Sequence, residues 1–240
     1  MKYILFFAIC FAPMFIFSQM IEVVYLEQSQ WDMDEEELGD IEYRNALLLA
    51  MEEKRPYKLL FNDSISIYEK IPKIDNSPND GSRVEFSSSE TFIFKDLKNR
   101  KIMYDQIYPK KYFILDSLTH MDWELTRETK EILGQKVYRA NAEKDKFEII
   151  AWYTKDISIA HGPQEFWGLP GLILSIEIKH ERKNSIDTII ADKISMSTTA
   201  VKVPQTKNVK TYTKEEFKQI MKEFREKQDR FYGGGVDADD

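Results

Sequence analysis

Short runs in which apolar and polar residues alternate recur along most of the chain. The clearest are residues 147–154 and 172–179. In the second run Leu172, Leu174, Ile176 and Ile178 occupy every other position, which is the period of a β-strand with one buried face. The pattern therefore predicts two strands, joined by a connection that contains several glycine and proline residues.

Similar runs on either side of this pair predict a sheet of many strands. No long helical pattern interrupts residues 91–194, so we expect hairpin connections and mainly antiparallel pairing. A meander of this length is more than a flat open sheet comfortably holds. We therefore predict an α+β protein, predominantly antiparallel β, with a curved meander sheet or a partly closed barrel. The further strands are predicted at residues 21–26, 57–61, 64–71, 91–94, 101–105, 111–116, 122–127, 136–142 and 186–194.

A helical spacing of apolar residues is found near the N-terminus. Leu38, Ile41, Leu48 and Met51 follow an acidic run at residues 32–37. Carboxylates stabilise a helix N-terminus through the helix dipole, whereas the run lacks the glycine and the final glutamate of a calcium-binding helix–loop–helix. We predict a helix at this position, packed on the sheet.

The C-terminal helix has a clearer signal. Thr213 and Glu216 have the spacing of a capping box, and an apolar stripe follows them. This helix is also expected to pack on the sheet. The stripe consists of Phe217, Ile220, Met221 and Phe224.

The connection between the two clearest strands is predicted to be a rigid corner. In Gly168-Leu169-Pro170-Gly171 the proline and the second glycine suit a type II turn, and Gly162-Pro163 make a second break upstream. One interpretation is that this loop locks over the edge of the sheet. The other is that it contacts a ligand, since rigid loops also carry binding residues.

The second interpretation defines a candidate binding surface. Aromatic and apolar side chains crowd beside the glycine and proline breaks, and a loop cannot readily bury all of them beneath itself. Exposed aromatic side chains on a rigid loop commonly mark a binding surface. We expect such an apolar surface near Tyr153, His161, Phe166, Trp167 and Leu169.

These motifs resemble those of the GLPGLI family of Bacteroidetes proteins, which is named after the hexapeptide found here at residues 168–173. The resemblance implies an exported protein without an established activity, and it transfers no catalytic residue. One departure is Val137, where many family members carry cysteine. Further matching positions are Gly162-Pro163, Trp123-Glu124-Leu125, Thr129-Lys130, Ile132, Gly134, Ala140, Ala151-Trp152-Tyr153-Thr154, Asp156-Ile157, and Leu60-Phe61-Asn62 followed by Ser64 or Ser66.

The first 18 residues have the pattern of a secretory signal peptide. Lys2 precedes an apolar run from Tyr3 to Phe17, which the small residue Ser18 follows, and the run is too short to span a bilayer well. Lipidation of Cys10 is disfavoured because Ile9 precedes it. Cys10 is the only cysteine, so we expect an exported chain without disulfides, in the periplasm, the cell envelope or the medium.

The rest of the chain is expected to form one globular domain at residues 19–232. Residues 75–89 are rich in Asn, Ser, Asp, Pro and Gly, which is typical of a long exposed loop. Residues 233–240 have no apolar periodicity and are expected to be a disordered acidic tail.

Charge and chemistry narrow the function further. A net charge of −7 argues against a general nucleic-acid or anionic-membrane binder. His120, His161 and His180 are isolated in the sequence and lack the spacing of metal ligands. Neither a nucleophile elbow nor a phosphate-binding glycine loop is present. We therefore predict no catalytic residue, metal or cofactor.

Three functional classes remain open. We favour a non-enzymatic binding protein, in which the curved sheet and a helix enclose a site for an apolar, lipid-like or peptide ligand. A half-barrel of the outer-membrane lipoprotein carrier type is an analogy for this class. The alternative is a protein–protein interaction module of an envelope complex, acting by strand addition or an aromatic anchor. A metal-dependent or acid/base hydrolase is less favoured, and the oligomeric state stays open.

Overall fold

Twelve strands form one sheet within the part of the chain that the structure describes. The computed structural model describes residues 20–31, 40–72, 90–107, 109–180, 185–206 and 209–232. The predicted signal peptide, the acidic run at residues 32–37, the predicted loop at residues 75–89 and the acidic tail lie outside these ranges.

The elements follow the predicted runs closely. All predicted strands are found, most of them longer than predicted, together with two helices and a short additional strand. In chain order they are β1 (Met20–Trp31), α1 (Ile41–Glu52), β2 (Arg55–Phe61), β3 (Ile65–Lys70), β4 (Phe92–Asp96), β5 (Lys101–Ile107), β6 (Lys111–Ser117), β7 (Glu124–Ile132), β8 (Gln135–Lys144), β9 (Phe147–Thr154), β10 (Leu172–His180), β11 (Ser185–Ser197), β12 (Thr211–Tyr212) and α2 (Lys214–Tyr232).

The N-terminal strand lies in the middle of the sheet. The strands of the sheet lie in the order β12-β6-β5-β4-β3-β2-β1-β11-β10-β9-β8-β7. Strand β1 therefore joins a first meander, β2 to β6, to a second meander, β7 to β11. Every neighbouring pair is antiparallel except β12 with β6, which is parallel. The terminal strands of this order do not close on each other, and the sheet is open and curled. The predominantly antiparallel prediction is confirmed.

The main core lies on one face of this sheet. On β1 the buried positions Val23, Tyr25 and Glu27 alternate with half-buried ones, as the period of a strand requires. The Tyr25 hydroxyl donates a 2.6 Å hydrogen bond to the backbone oxygen of Ile173 in β10. A smaller cluster on the first meander includes Leu60, Phe94, Met103 and Val201.

Helix α1 packs on β1. Asp40 caps the helix, accepting a 2.8 Å hydrogen bond from the backbone N–H of Tyr43, and Leu47 and Ala50 are buried. Ile41 and Leu48, two of the four residues whose spacing predicted this helix, are 74% and 46% exposed. They lie roughly a third to half a turn around the helix from Leu47 and Ala50.

Helix α2 begins at the edge of the first meander. The predicted capping box is present: Glu216 accepts from the Thr213 N–H at 2.7 Å, and the Glu216 N–H donates to the Thr213 hydroxyl at 3.2 Å. The Phe217 ring meets Tyr112 of β6 edge-on at 5.3 Å, and the Lys214 N–H donates to Asp116 at 2.9 Å. These contacts hold the start of α2 beside strand β6. Within the described ranges, neither helix has the length and apolar character needed to span a membrane.

Candidate functional site

The predicted apolar binding surface is buried in the core. Tyr153, His161, Phe166, Trp167 and Leu169 are between 0% and 8% exposed, so the expectation that some of them are exposed is wrong. The loop closes on itself through a bridge between His161 and Trp167 and extends over the sheet. The Trp167 indole N–H donates to the backbone oxygen of Thr119 at 2.8 Å. The segment before β7 thus covers Trp167, while Tyr153, Phe166 and Leu169 belong to the main core.

The corner itself is tighter than a type II turn. The Gly171 N–H donates to the Leu169 oxygen at 2.7 Å, which is the two-residue spacing of a γ-turn around Pro170, so the predicted turn type is wrong. Gly171 has φ +152°, and a Cβ there would lie 1.9 Å from the backbone oxygen of Thr154. Close approach of two backbones therefore requires glycine at this position.

A fully buried lysine supports the loop from beneath. Lys95 of β4 is 0% exposed, and its Nζ donates to the backbone oxygens of Gly162 at 2.6 Å and of Phe166 at 2.9 Å. Burial lowers the pKa of the Lys95 amine to about 7. A neutral amine has two N–H groups, which match the two carbonyl oxygens. The sequence held no clear signal for this residue, because Lys95 alternates with Phe92 and Phe94, and alternation alone would assign those two residues to the core.

His161 is a core side chain. Its ring packs at 5.4 Å from that of Phe61, and neither ring nitrogen has a hydrogen-bond partner within bonding distance among the described residues. Burial, followed by the charge of nearby Lys95, lowers the pKa of the imidazole to about 3. The imidazole is therefore neutral at neutral pH. In the described part of the chain, no group of three or more His, Cys, Asp or Glu side chains is arranged to hold a metal ion.

A large cleft opens beside the buried loop. Its volume is about 620 Å³. The floor comes from β4 to β6, and the walls come from residues 117–122, from the turn between β8 and β9, and from the start of α2. Ile93, Ile102 and Tyr104 contribute apolar surface to the floor. The charged lining consists of seven carboxylates, Glu90, Asp116, Asp122, Glu143, Asp145, Glu165 and Glu215, and three lysines, Lys144, Lys214 and Lys218.

A small cavity adjoins this cleft. It has a volume of about 110 Å³ and shares Glu90, Ile93 and Glu165 with the cleft. The Glu27 carboxylate lines it, is 6% exposed, and accepts hydrogen bonds on Oε1 from the Tyr68 hydroxyl at 2.7 Å and from the Gln164 amide at 2.9 Å. The lining is rich in carboxylates and aromatic rings, a combination that suits a cation.

The electrostatics of the small cavity follow from its burial. Burial raises the pKa of the Glu27 carboxyl, and the hydrogen bonds from Tyr68 and Gln164 partly oppose this shift. Burial also raises the pKa of the Tyr68 hydroxyl, and the neighbouring Glu27 charge adds to the effect. The ring of Tyr57 stacks on that of Tyr68 with centroids 5.1 Å apart. A carboxyl group with a perturbed pKa in a cavity is a common mark of a functional site.

Sequence reasoning did not find Glu27. The predicted first strand ended at residue 26, although Glu27 continues the spacing of Val23 and Tyr25. A charged residue at a buried position of a strand was therefore the available signal. The carboxylates of the cleft gave no comparable signal because they come from separate parts of the chain.

One family model matches part of the chain. Residues 140–175 match a family described as "Protein of unknown function (Porph_ging)". This segment contains the corner and all of β9, so it coincides with the most distinctive sequence motif. The comparisons do not give the GLPGLI name, and that resemblance stays a prediction. No curated protein matches the sequence.

The fold resembles part of a larger solved protein, PNGF-II. Two crystal forms of PNGF-II match with TM-scores of 0.52 and 0.53 at 16% and 15% sequence identity. The alignments cover 85% and 84% of this chain, but 32% and 33% of PNGF-II. The chain thus spans about a third of the length of PNGF-II, and at this identity the similarity shows the fold alone.

Two more distant matches carry no functional argument. An uncharacterized conserved protein from Thermus thermophilus has a TM-score of 0.40 at 7% identity, covering 82% of this chain and 92% of its own. A putative outer membrane lipoprotein-sorting protein domain from Vibrio parahaemolyticus has a TM-score of 0.29 at 6% identity. This alignment covers 76% of this chain and 87% of the Vibrio domain. The analogy with lipoprotein carriers therefore stays a hypothesis.

Proposed function

We propose that this protein is a non-enzymatic binding protein whose cleft holds a cationic peptide segment. The observation that carries the proposal is the lining of the cleft, in which seven carboxylates face three lysines around an apolar floor. A cleft lined mainly by one sign of charge concentrates ligands of the opposite sign. The apolar floor adds contact area beneath the charged walls.

The charged walls favour a peptide over a lipid-like ligand. A volume of about 620 Å³ lies within the range of roughly 300–1,000 Å³ that is typical of ligand pockets. An acyl chain in this cleft would remove carboxylates and ammonium groups from water without replacing their hydrogen bonds, which is costly. A peptide supplies both backbone hydrogen bonds and cationic side chains.

Strand addition at the edges of the sheet is less favoured than binding in the cleft. Strand β7, at one end, carries exposed charged residues such as Glu124 and Glu131, and its pairing with β8 shifts register between Leu125 and Thr129. Charges and bulges are the features that protect edge strands from pairing with other chains. At the other end, β12 of the same chain pairs with β6.

Export to the cell envelope is part of the proposal. It rests on the signal-peptide pattern of residues 1–18. An exported binding protein would meet its peptide ligand outside the cytoplasm.

The experiment is a titration of a dye-labelled peptide of alternating lysine and glycine, followed by fluorescence anisotropy at low salt. A glutamate–glycine peptide of the same length is the control. We expect binding of the lysine peptide, weakening as salt screens the charges, and no binding of the glutamate peptide. Equal affinity for both peptides, or no binding of either, would contradict the proposed function.

A further inference from the structure

The small cavity has the form of a subsite of the cleft. It shares Glu90, Ile93 and Glu165 with the cleft, so the two spaces adjoin. Its volume of about 110 Å³ is several times the roughly 10–15 Å³ that a single water molecule requires. The cavity therefore has room for the end of a side chain.

Glu27 lies in this cavity opposite Arg55 of β2, but it forms no ion pair among the described residues. It is 6% exposed, and its two hydrogen-bond donors, Tyr68 and Gln164, are both neutral. None of the described Lys, Arg or His side chains forms an ion pair with it. Arg55 attracts it from a greater distance and donates a hydrogen bond to the Ser29 hydroxyl instead. A buried carboxylate is stabilised when a cation comes within hydrogen-bond distance.

Aromatic rings form another part of the cavity wall. Tyr57 and Tyr68 are stacked with an interplanar angle of 5°, and Phe92 also lines the cavity. Aromatic rings attract ammonium and guanidinium groups through their quadrupoles. Neither lysine nor arginine is among the described residues that line the cavity.

We infer that the small cavity is a subsite for one cationic side chain, an ammonium or a guanidinium group, with Glu27 as its principal hydrogen-bond acceptor. The inference rests on the proposed function, since that side chain belongs to the peptide in the cleft. It also adds a determinant of specificity. The cleft selects for overall positive charge, whereas the subsite selects for a cation at one position of the ligand.

The test compares small probes by isothermal titration calorimetry on the full chain. N-acetyl-arginine amide and N-acetyl-lysine amide carry a cation, whereas N-acetyl-citrulline amide has nearly the shape of the arginine probe and is neutral. We expect the arginine probe to bind at least tenfold more tightly than the citrulline probe. If the arginine and citrulline probes bind the unaltered protein with equal affinity, the inference is wrong.

Glu27→Gln preserves the size of the side chain and removes its charge. We expect this variant to lose at least tenfold in affinity for the arginine probe. Glu124→Gln, on the outer strand β7, is the matched control and should bind as the unaltered protein does. Unchanged affinity in folded Glu27→Gln protein would overturn the role of Glu27.

A parallel titration with the lysine–glycine peptide separates the two proposals. If this peptide binds but the arginine and citrulline probes do not differ, the proposed function stands and the subsite is wrong. If the arginine probe binds through Glu27 but the peptide does not bind, the cation site stands and the peptide function is wrong.

Discussion

The Nζ atom of Lys95 lies 2.6 Å from the backbone oxygen of Gly162. This hydrogen bond connects β4, in the first meander, to the loop before the corner in the second. Lys95 also donates to Phe166, so one side chain holds both halves of a loop whose aromatic residues complete the core. The arrangement explains why the loop is buried, and it makes stability dependent on the protonation of Lys95.

The first prediction is that stability rises with pH between about 7 and 10.5 because of Lys95. Its pKa is lowered from 10.5 to about 7 in the folded state, so between these values the unfolded chain binds one more proton. The free energy of unfolding should therefore gain up to about 1.4 kcal/mol per pH unit from this group. The contribution is lost as pH falls through this range.

Lys95→Met isolates this contribution. The variant removes the titrating group but keeps an unbranched side chain, so its stability should rise less steeply with pH across that range. Urea unfolding of both proteins at several pH values measures the difference in slope. Parallel curves would contradict the burial of a neutral amine at this position.

The second prediction concerns acid sensitivity through His161. Its pKa is lowered from 6.5 to about 3 by burial, so the folded state resists protonation while the unfolded chain accepts it. Stability from this group is present above pH 6.5 and lost as pH falls toward 3. His161→Leu should be less acid-sensitive than the unaltered protein, by up to about 1.4 kcal/mol per pH unit. Denaturant unfolding between pH 6.5 and 4 tests it, and an identical acid response would refute the assignment.

The third prediction is that Gly171 tolerates no side chain. A Cβ would overlap the Thr154 oxygen at 1.9 Å, and the positive φ adds strain of about 1–3 kcal/mol. Gly171→Val should therefore lower the melting temperature strongly. Gly134→Ala is the control, because Gly134 also has positive φ, +72°, but a Cβ there meets nothing within 4 Å. A similar small loss at both positions would show that the close approach is unimportant.

The fourth prediction concerns the strand after the corner. Leu172 and Leu174 are both 0% exposed, so Leu→Ala at either position should lower the free energy of unfolding by about 2–5 kcal/mol. Leu125→Ala is the matched control, since Leu125 is 54% exposed and should cost less than about 1 kcal/mol. Urea unfolding measures all three variants, and equal costs would contradict the burial pattern of β10.

The fifth prediction is the start of the exported chain. If residues 1–18 are removed as a signal peptide, the mature protein begins at Gln19 and contains no cysteine. Intact-mass measurement of protein from the producing cells tests this. Retention of Met1, or a lipid on Cys10, would show that the signal interpretation is wrong.

The sequence predicted the strands well because alternation is a local property. Leu172 to Ile178 could be assigned to a strand from their own spacing alone. Alternation does not say which strands pair, however, so the position of β1 between β2 and β11 was not predictable. That position depends on long-range contacts, such as the hydrogen bond from Tyr25 to Ile173.

The site was less predictable than the fold for the same reason. Trp167 looked like a candidate for exposure because its cover, Thr119 and the neighbouring segment, is distant in the chain. Glu27 was recognisable in principle, since it continues the spacing of Val23 and Tyr25, whereas Lys95 alternates with Phe92 and Phe94 and was not. Their partners, Gln164 and Gly162, come from the loop and could not be inferred from spacing.

The most direct test of the central claim is the affinity of the lysine–glycine peptide for a variant with three altered cleft carboxylates. Glu143→Gln, Asp145→Asn and Glu215→Gln together remove three charges from the cleft. The control carries Glu124→Gln, Glu131→Gln and Asp192→Asn, which remove the same charge from exposed positions on β7 and β11. We predict at least tenfold weaker binding for the cleft variant and little change for the control. Equal weakening in both variants would contradict a binding site in the cleft.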